Sequence, residues 1–324
     1  MNALPDDKAG LIERSEGGDG RYCVGEDGVT AIFSTADRKV DFVCYANRTD
    51  AYVYSQMGYP AVYPLRPAHI ERPIRAVLMD LDGTSVHSEA FWMWTIERTT
   101  AALLERPDFG LAPDDGPFVS GHSVSEHLQY CIRKYAPGRT VEQARRHYFE
   151  IVRREMRAIE EGRGRGDAFK PSPGLREFLL ALKDRGIRIG LVSSGLYEKA
   201  WPEILAAFRT LGLGDPAEFY DAIVTAGHTI QKGQPGTLGE LEAKPHPWLY
   251  AEAARVGLGI DFADRHHVVG VEDSGAGVVA IRLAGFAAIG MAGGNIEESG
   301  TRCLLHDDCR DFAGVLGVID GDAG

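Results

Sequence analysis

A chain of 324 residues fits about two domains at roughly 150 residues each, and it is long enough to bury a sizeable core. With 44% hydrophobic and 25% charged residues its composition is that of a globular protein, which excludes wholesale disorder, a collagen-like repeat and a disulfide scaffold. Lys+Arg of 35 against Asp+Glu of 47 leaves a net charge of −12, which repels nucleic acid and anionic membrane surfaces unless a basic patch intervenes, and none is evident.

Met1 to Glu13 carries Asp6, Asp7, Lys8 and Glu13 with no apolar run, so a signal peptide is not expected and the cytoplasm is the expected compartment. The five cysteines form an odd set without C-x-x-C spacing, indicating neither a disulfide framework nor a zinc site. Within the first ~70 residues, Tyr22–Val24, Thr30–Phe33, Val40–Tyr45 and Ala51–Tyr54 read as short strands, with Glu26-Asp27-Gly28 as a hairpin turn. The Gly17 to Gly20 cluster reads as a loop, because no strand precedes it as a phosphate cradle would require.

From Arg75 the pattern alternates short apolar runs with helical stretches, predicting an α/β fold on a mostly parallel, Rossmann-like sheet. Ile74–Met79, Ile187–Val192, Asp221–Thr225 and Val268–Val271 are its expected strands. Ser88 to Phe169 is instead helical. Ser123 with Glu126 and Thr140 with Gln143 match the S/T-x-x-E/Q capping pattern, and Val141–Glu161 reads as a long solvated helix. The expected layout is an N-terminal β-rich extension (1–70), a core (71–87 and 171–324) and a helical insertion (88–170). Leu283 to Gly294 is the most apolar stretch, too short for a bilayer that needs about 20 apolar residues.

Chemistry concentrates at four places. The strand ending in Asp80-Leu81-Asp82-Gly83-Thr84 delivers two carboxylates at its C-terminal end, where open α/β sheets place ligands. Like charges so close need a cation or a shared proton, and an aspartate pair of this kind suits a nucleophile with a proton donor and acceptor. Ser193-Ser194 closes the second strand with hydroxyls suited to a phosphoryl oxygen. Lys244-Pro245-His246-Pro247 opens the apolar-periodic helix Trp248–Val256 and offers a cation. Glu272-Asp273-Ser274 ends another strand with a carboxylate pair able to complete an oxygen-rich Mg²⁺ site.

In this order these elements resemble the haloacid-dehalogenase superfamily, in the branch with a helical cap inserted after the first motif (β-phosphoglucomutase and phosphoglycolate phosphatase-like). The resemblance spans about Ile74 to Gly290 and includes Pro171-Ser172-Pro173-Gly174 with its helix and Ala280-Ile281-Arg282-Leu283-Ala284-Gly285. It implies Asp80 as nucleophile and metal ligand, and Asp82 as general acid/base with its carbonyl on the metal. Ser193, Ser194 and Lys244 would bind phosphate, and Glu272 and Asp273 would anchor Mg²⁺. The implied activity is Mg²⁺-dependent hydrolysis of a small phosphorylated metabolite, with no nucleic-acid or membrane partner.

Three positions depart from the branch pattern. His87 stands where an aspartate is frequent; a histidine at a cap hinge suits either substrate contact or a surface role. In the expected cap loop around Gly121 and His122, Val124 replaces the arginine of the sugar-phosphate mutases, which weighs against a mutase. The span from Thr225 to Lys244 is about ten residues longer than usual against common loops of roughly 4–6. It contains a second lysine, Lys232, but only Lys244 leads directly into a helix. A metal-free dehalogenase would not need Asp82, a phosphonate hydrolase would want a cap lysine for which Lys134 has no motif, and a silent binding protein would not keep all four motifs. His266-His267 and His306 to Cys309 lack metal-ligand spacing, and Phe91, Trp92, Trp94, Trp201 and Trp248 read as packing residues.

Overall fold

A computed structural model describes residues 4–5, 8–54, 59–118, 124–165, 168–226 and 242–321. In chain order its strands and helices are β1 (Ile12–Arg14), β2 (Val29–Ser34), β3 (Val40–Tyr45), β4 (Thr49–Tyr54), β5 (Pro60–Leu65), β6 (Ala76–Asp80), β7 (Val86–His87), α1 (Glu89–Leu103), α2 (Val124–Tyr135) and α3 (Val141–Glu160). There follow β8 (Lys170–Pro171), α4 (Leu175–Asp184), β9 (Arg188–Leu196), α5 (Tyr197–Leu211), α6 (Pro216–Phe219), β10 (Ala222–Ala226), α7 (Trp248–Glu252), β11 (Val268–Glu272), α8 (Gly275–Leu283), β12 (Ala287–Met291), β13 (Asp307–Cys309) and α9 (Phe312–Asp320). The chain forms two compact units, one of Met1–Ser85, Ser172–Ala200 and Leu213–Gly324, the other of Val86–Pro171 and Trp201–Gly212.

The first unit holds two sheets. Six parallel strands run in the order β10-β9-β6-β11-β12-β13, the α/β sheet expected. Every residue of β6, β11 and β12 is buried, as strands covered on both faces must be, so their sequences are near-continuous apolar runs. β12 and β13 were not anticipated: Ala287–Met291 has one β-branched residue, and the polar Asp307–Cys309 is an edge strand.

The second sheet is an antiparallel meander in the order β1-β2-β3-β4-β5. Its alternation is clean: Val40, Phe42, Cys44, Ala51, Val53 and Leu65 share one core with Leu249, Tyr250 and Ile281. Asp41 faces the other way, buried, and accepts from Gly18 N at 2.7 Å, Tyr54 at 2.5 Å and Ser34, which ties down the glycine-rich loop. Tyr22–Val24 forms only an isolated bridge, Cys23 to Glu16, so Glu26-Asp27-Gly28 turns the chain without joining two strands. β5 escapes sequence reading because Pro60 and Pro64 lack an N–H, a defect that an edge strand tolerates.

The second unit is helical, with a two-stranded ribbon of β7 and β8. Thr140 and Gln143 form the anticipated capping box at the start of α3; Ser123 lies outside the described residues. Phe91 is buried, with its ring 4.8 Å from that of Phe169 and 5.0 Å from that of Trp92. Asp115, wholly buried, accepts from Ala112 N at 2.7 Å, Tyr130 at 2.6 Å, Tyr135 at 2.5 Å and Lys134 Nζ at 2.6 Å. Lys134 is thus committed to an ion pair, which agrees with its having no catalytic motif. Burial pushes the Asp115 carboxyl up, but Lys134 and the two phenols outweigh it and hold it down to about 2. A depressed carboxylate stabilises the fold above its unfolded value near 4, and that stability is lost as pH falls toward about 2. Asp115→Asn is therefore expected to cost roughly 2 kcal/mol at pH 7 and to flatten acid unfolding between about pH 4 and 2. Urea titrations followed by tryptophan fluorescence check this, since Trp92, Trp94 and Trp201 all lie in this unit.

Candidate active site

Strand register assembles the site within the first unit. Asp80 of β6 pairs with Val192 of β9, and Met79 pairs with Val271 of β11, so Asp80, Ser193 and Glu272 emerge at the same sheet edge. Asp80, Glu272 and Asp273, all buried, each offer an oxygen within 4.8 Å of the others, the only such group among the described residues. Gly83 turns the chain at φ +90, and a Cβ there would lie 2.2 Å from Asp273 Oδ2, so only glycine lets the Asp82 turn approach this carboxylate. Gly277 serves α8 likewise, since its Cβ would lie 1.8 Å from Glu272 Oε1.

The Lys244 ammonium, 6% exposed, contacts Asp80 Oδ1 and lies 2.5 Å from Glu272 Oε1. Burial alone would lower its pKa, but Asp80 and Glu272 outweigh that and raise it, so the lysine stays charged. Asp80 is shifted well upward, by burial first and then by the Glu272 charge. Asp273 is raised to about 7 for the same two reasons, opposed by its hydrogen bond from Thr84 Oγ1 at 3.0 Å. Among the described residues, one ammonium beside three buried carboxylates leaves excess negative charge. Such a site holds either protons or a cation.

Glu272 is saturated. Its Oε2 accepts from Asp273 N at 3.1 Å, Ser274 N at 2.9 Å and Ser274 Oγ at 2.8 Å, and its Oε1 accepts from Lys244 and from Tyr250 at 3.1 Å. Asp80 and Asp273 retain more open coordination capacity. Asp82, a third exposed, lies 3.4 Å from Ser193 Oγ and 3.3 Å from Lys199 Nζ. Ser193 accepts from Gly195 N at 2.9 Å, while the Ser194 hydroxyl accepts from Lys244 N at 3.2 Å.

The structure thus brings Asp80, Asp82, Ser193, Ser194, Lys244, Glu272 and Asp273 to one locality. His87 is exposed on β7 of the other unit, paired with Lys170. Gly121, His122 and Lys232 lie outside the described residues. Lys199 and Tyr250 were not anticipated: a phenol inside an apolar helix reads as packing, and Lys199 opens an ordinary amphipathic helix. Trp248 is 41% exposed and is no core residue; its indole N–H donates to Tyr63 at 3.1 Å. The α-helix expected from Trp248 ends at Glu252 and continues as a π turn over Ala253–Gly257. His266 stacks on His69, and His267 Nδ1 lies against the Glu71 and Pro73 carbonyls. Among the described residues no helix is long and apolar enough to cross a membrane.

Comparison with known proteins agrees with this fold. A glyceraldehyde 3-phosphate phosphatase of Methanopyrus kandleri is 23% identical over 193 residues, 56% of this chain and 70% of its own length. CbbY of Rhodobacter sphaeroides, solved with phosphate, superposes with a TM-score of 0.53 at 22% identity, covering 76% of this chain and 99% of that one. A subfamily IA hydrolase of Geobacter sulfurreducens gives 0.55 at 16% identity, covering 78% and 99%. These similarities carry the fold, including the helical second unit of the branch that the motifs resemble. The profile of the haloacid dehalogenase-like hydrolases matches residues 74–285, from the start of the Asp80 strand to the end of the helix after Asp273, and the chain belongs to that family.

Proposed function

We propose that the protein is a Mg²⁺-dependent phosphatase that hydrolyses a small, sugar-phosphate-like metabolite through an aspartyl-phosphate on Asp80. The observation that carries this reading is the Lys244 ammonium held between Asp80 and Glu272 at the edge where Ser193 emerges. It is a fixed positive charge beside a nucleophile that must approach an anion. The phosphate bound in the Rhodobacter relative and the phosphatase name of the Methanopyrus relative support it.

The donor set fits a hard cation: carboxylate oxygens only, in excess of the local positive charge, with no thiolate or imidazole among them. Asp80, Asp273 and the Asp82 carbonyl would hold Mg²⁺, and Glu272 would serve them by fixing Lys244. When bound, the ion neutralises phosphoryl oxygens and the carboxylates around them. The chain's own residues do the rest. Asp80 attacks phosphorus as the bond to the leaving oxygen breaks, and Asp82 gives that oxygen its proton. Asp82 then takes a proton from the water that attacks the aspartyl-phosphate, releasing phosphate and restoring Asp80. Lys244 and Ser193 hold the phosphoryl oxygens throughout, and in phosphoryl transfer such positioning and neutralisation supply most of the catalysis.

The test is hydrolysis of 4-nitrophenyl phosphate by the full chain. Turnover should vanish on chelation and return with Mg²⁺; activity indifferent to chelation would remove the metal from the proposal. A panel of phosphorylated sugars, polyols and nucleotides, ranked by kcat/KM, then names the substrate class. Failure on every monoester would sink the phosphatase reading.

A further inference from the structure

The N-terminal sheet carries no catalytic motif, yet its edge strand β5 reaches the segment that bears Lys244. The Tyr63 hydroxyl lies 2.9 Å from His246 Nδ1 and 3.1 Å from Trp248 Nε1. An indole N–H only donates, so the phenol accepts from Trp248, and the imidazole tautomer sets which partner donates between Tyr63 and His246. Burial lowers the His246 pKa, which favours the neutral ring.

The Lys244 ammonium is held by Asp80 and Glu272, and Leu249 and Tyr250 are packed in the core, but the backbone between them makes few hydrogen bonds, so the Tyr63 contact adds to its anchoring. Pro245 and Pro247 have no N–H. Of the remaining backbone donors, Lys244 N reaches Ser194 Oγ and His246 N makes one local turn to Ala243 O at 3.1 Å. The same sheet region also grips the loop behind Asp273. Ala36 N donates to Ser299 O at 3.0 Å, and Asn295 of that loop accepts from Gly275 N, at the start of α8, at 2.9 Å.

We infer that the N-terminal sheet is a brace for the active-site loops, and that Tyr63 is a positioning residue which holds Lys244 in place through His246 and Trp248 without touching substrate. The structural half of this inference stands on the contacts alone; its kinetic half rests on reading Lys244 as the phosphate-binding lysine.

Hydrogen–deuterium exchange on the full chain tests the first half. In Tyr63→Phe the amides from His246 to Ala251 should exchange about fivefold faster, the equivalent of one buried hydrogen bond. Tyr45→Phe, on the opposite face of the same sheet, should match wild type there and so separates the contact from general weakening of the sheet. The second half predicts that KM for 4-nitrophenyl phosphate and Ki for inorganic phosphate rise by a similar factor while kcat changes less, because fewer molecules hold a binding-competent loop. Unchanged exchange in Tyr63→Phe or an equal effect in Tyr45→Phe overturns the brace, and an unchanged phosphate Ki despite faster exchange overturns its kinetic half. Faster exchange in a protein with no phosphatase activity at all would retain the structural brace and discard the phosphatase reading.

Discussion

Asp80→Asn is expected to lower turnover of an aryl phosphate by a factor on the order of 10⁴ or more, because it removes the carboxylate proposed to attack phosphorus. The same substitution should leave the folded protein as stable as wild type, or more so, when no metal is added. Asp80 is a buried carboxylate facing Glu272 and Asp273, and its pKa is raised by burial and by that repulsion. A neutral amide of the same shape relieves both. Lys244 keeps its second partner in Glu272. A thermal melt at pH 8 without metal, beside the kinetic assay, distinguishes loss of chemistry from loss of fold. An Asp80→Asn protein that retains turnover would end the aspartyl-phosphate proposal, and one that melts well below wild type would show that the carboxylate is structural.

Lys244→Met should cost roughly 10²–10³ in kcat/KM, the usual penalty for removing a preorganised charge from a site of this kind. The cost comes from two directions. Among the described residues the lysine is the one ammonium held inside the carboxylate group, so without it Asp80 and Glu272 repel both each other and an incoming phosphate. Methionine keeps much of the apolar stem, which limits packing damage beside Tyr250. Inorganic phosphate should inhibit the variant far more weakly than wild type. Lys232→Ala should leave kcat/KM unchanged. The reverse pattern, with Lys232 essential and Lys244 dispensable, would transfer the phosphate-binding role to the longer loop and would also undo the kinetic half of the Tyr63 inference.

The two variants rest on parts of the chain that are unequally legible. Asp80, Asp82, Ser193, Glu272 and Asp273 could be found from sequence because each ends a short apolar run. In a parallel sheet such a run is a strand, and its C-terminal end is where ligands gather. Lys244 was separable from Lys232 because two prolines lead it into an apolar-periodic helix. Trp248 and Tyr250 lie in that helix, and there the pattern misleads: hydrophobic periodicity cannot tell a packing ring from one whose polar atom is engaged. Trp248 donates to Tyr63 from a partly exposed position, and Tyr250 donates to Glu272 from a buried one. β5 and β13 were invisible for a related reason. Edge strands tolerate prolines and charges that would disqualify an inner strand, so they lack the apolar signature.

Local chemistry written along the chain determined the fold class, the order of the catalytic motifs and the residue types that reach the sheet edge. Those features depend on short-range rules of alternation, capping and turn geometry. The tertiary structure decided which carboxylates share a charge, that Glu272 accepts from Lys244, Tyr250 and Ser274, and that a sheet with no motif of its own reaches the segment bearing Lys244. Most of these contacts join residues far apart in the chain, with Tyr63 and His246 separated by 183 positions. Such a contact exists only once both sheets have packed on α7 and α8, and no periodicity in either segment records it.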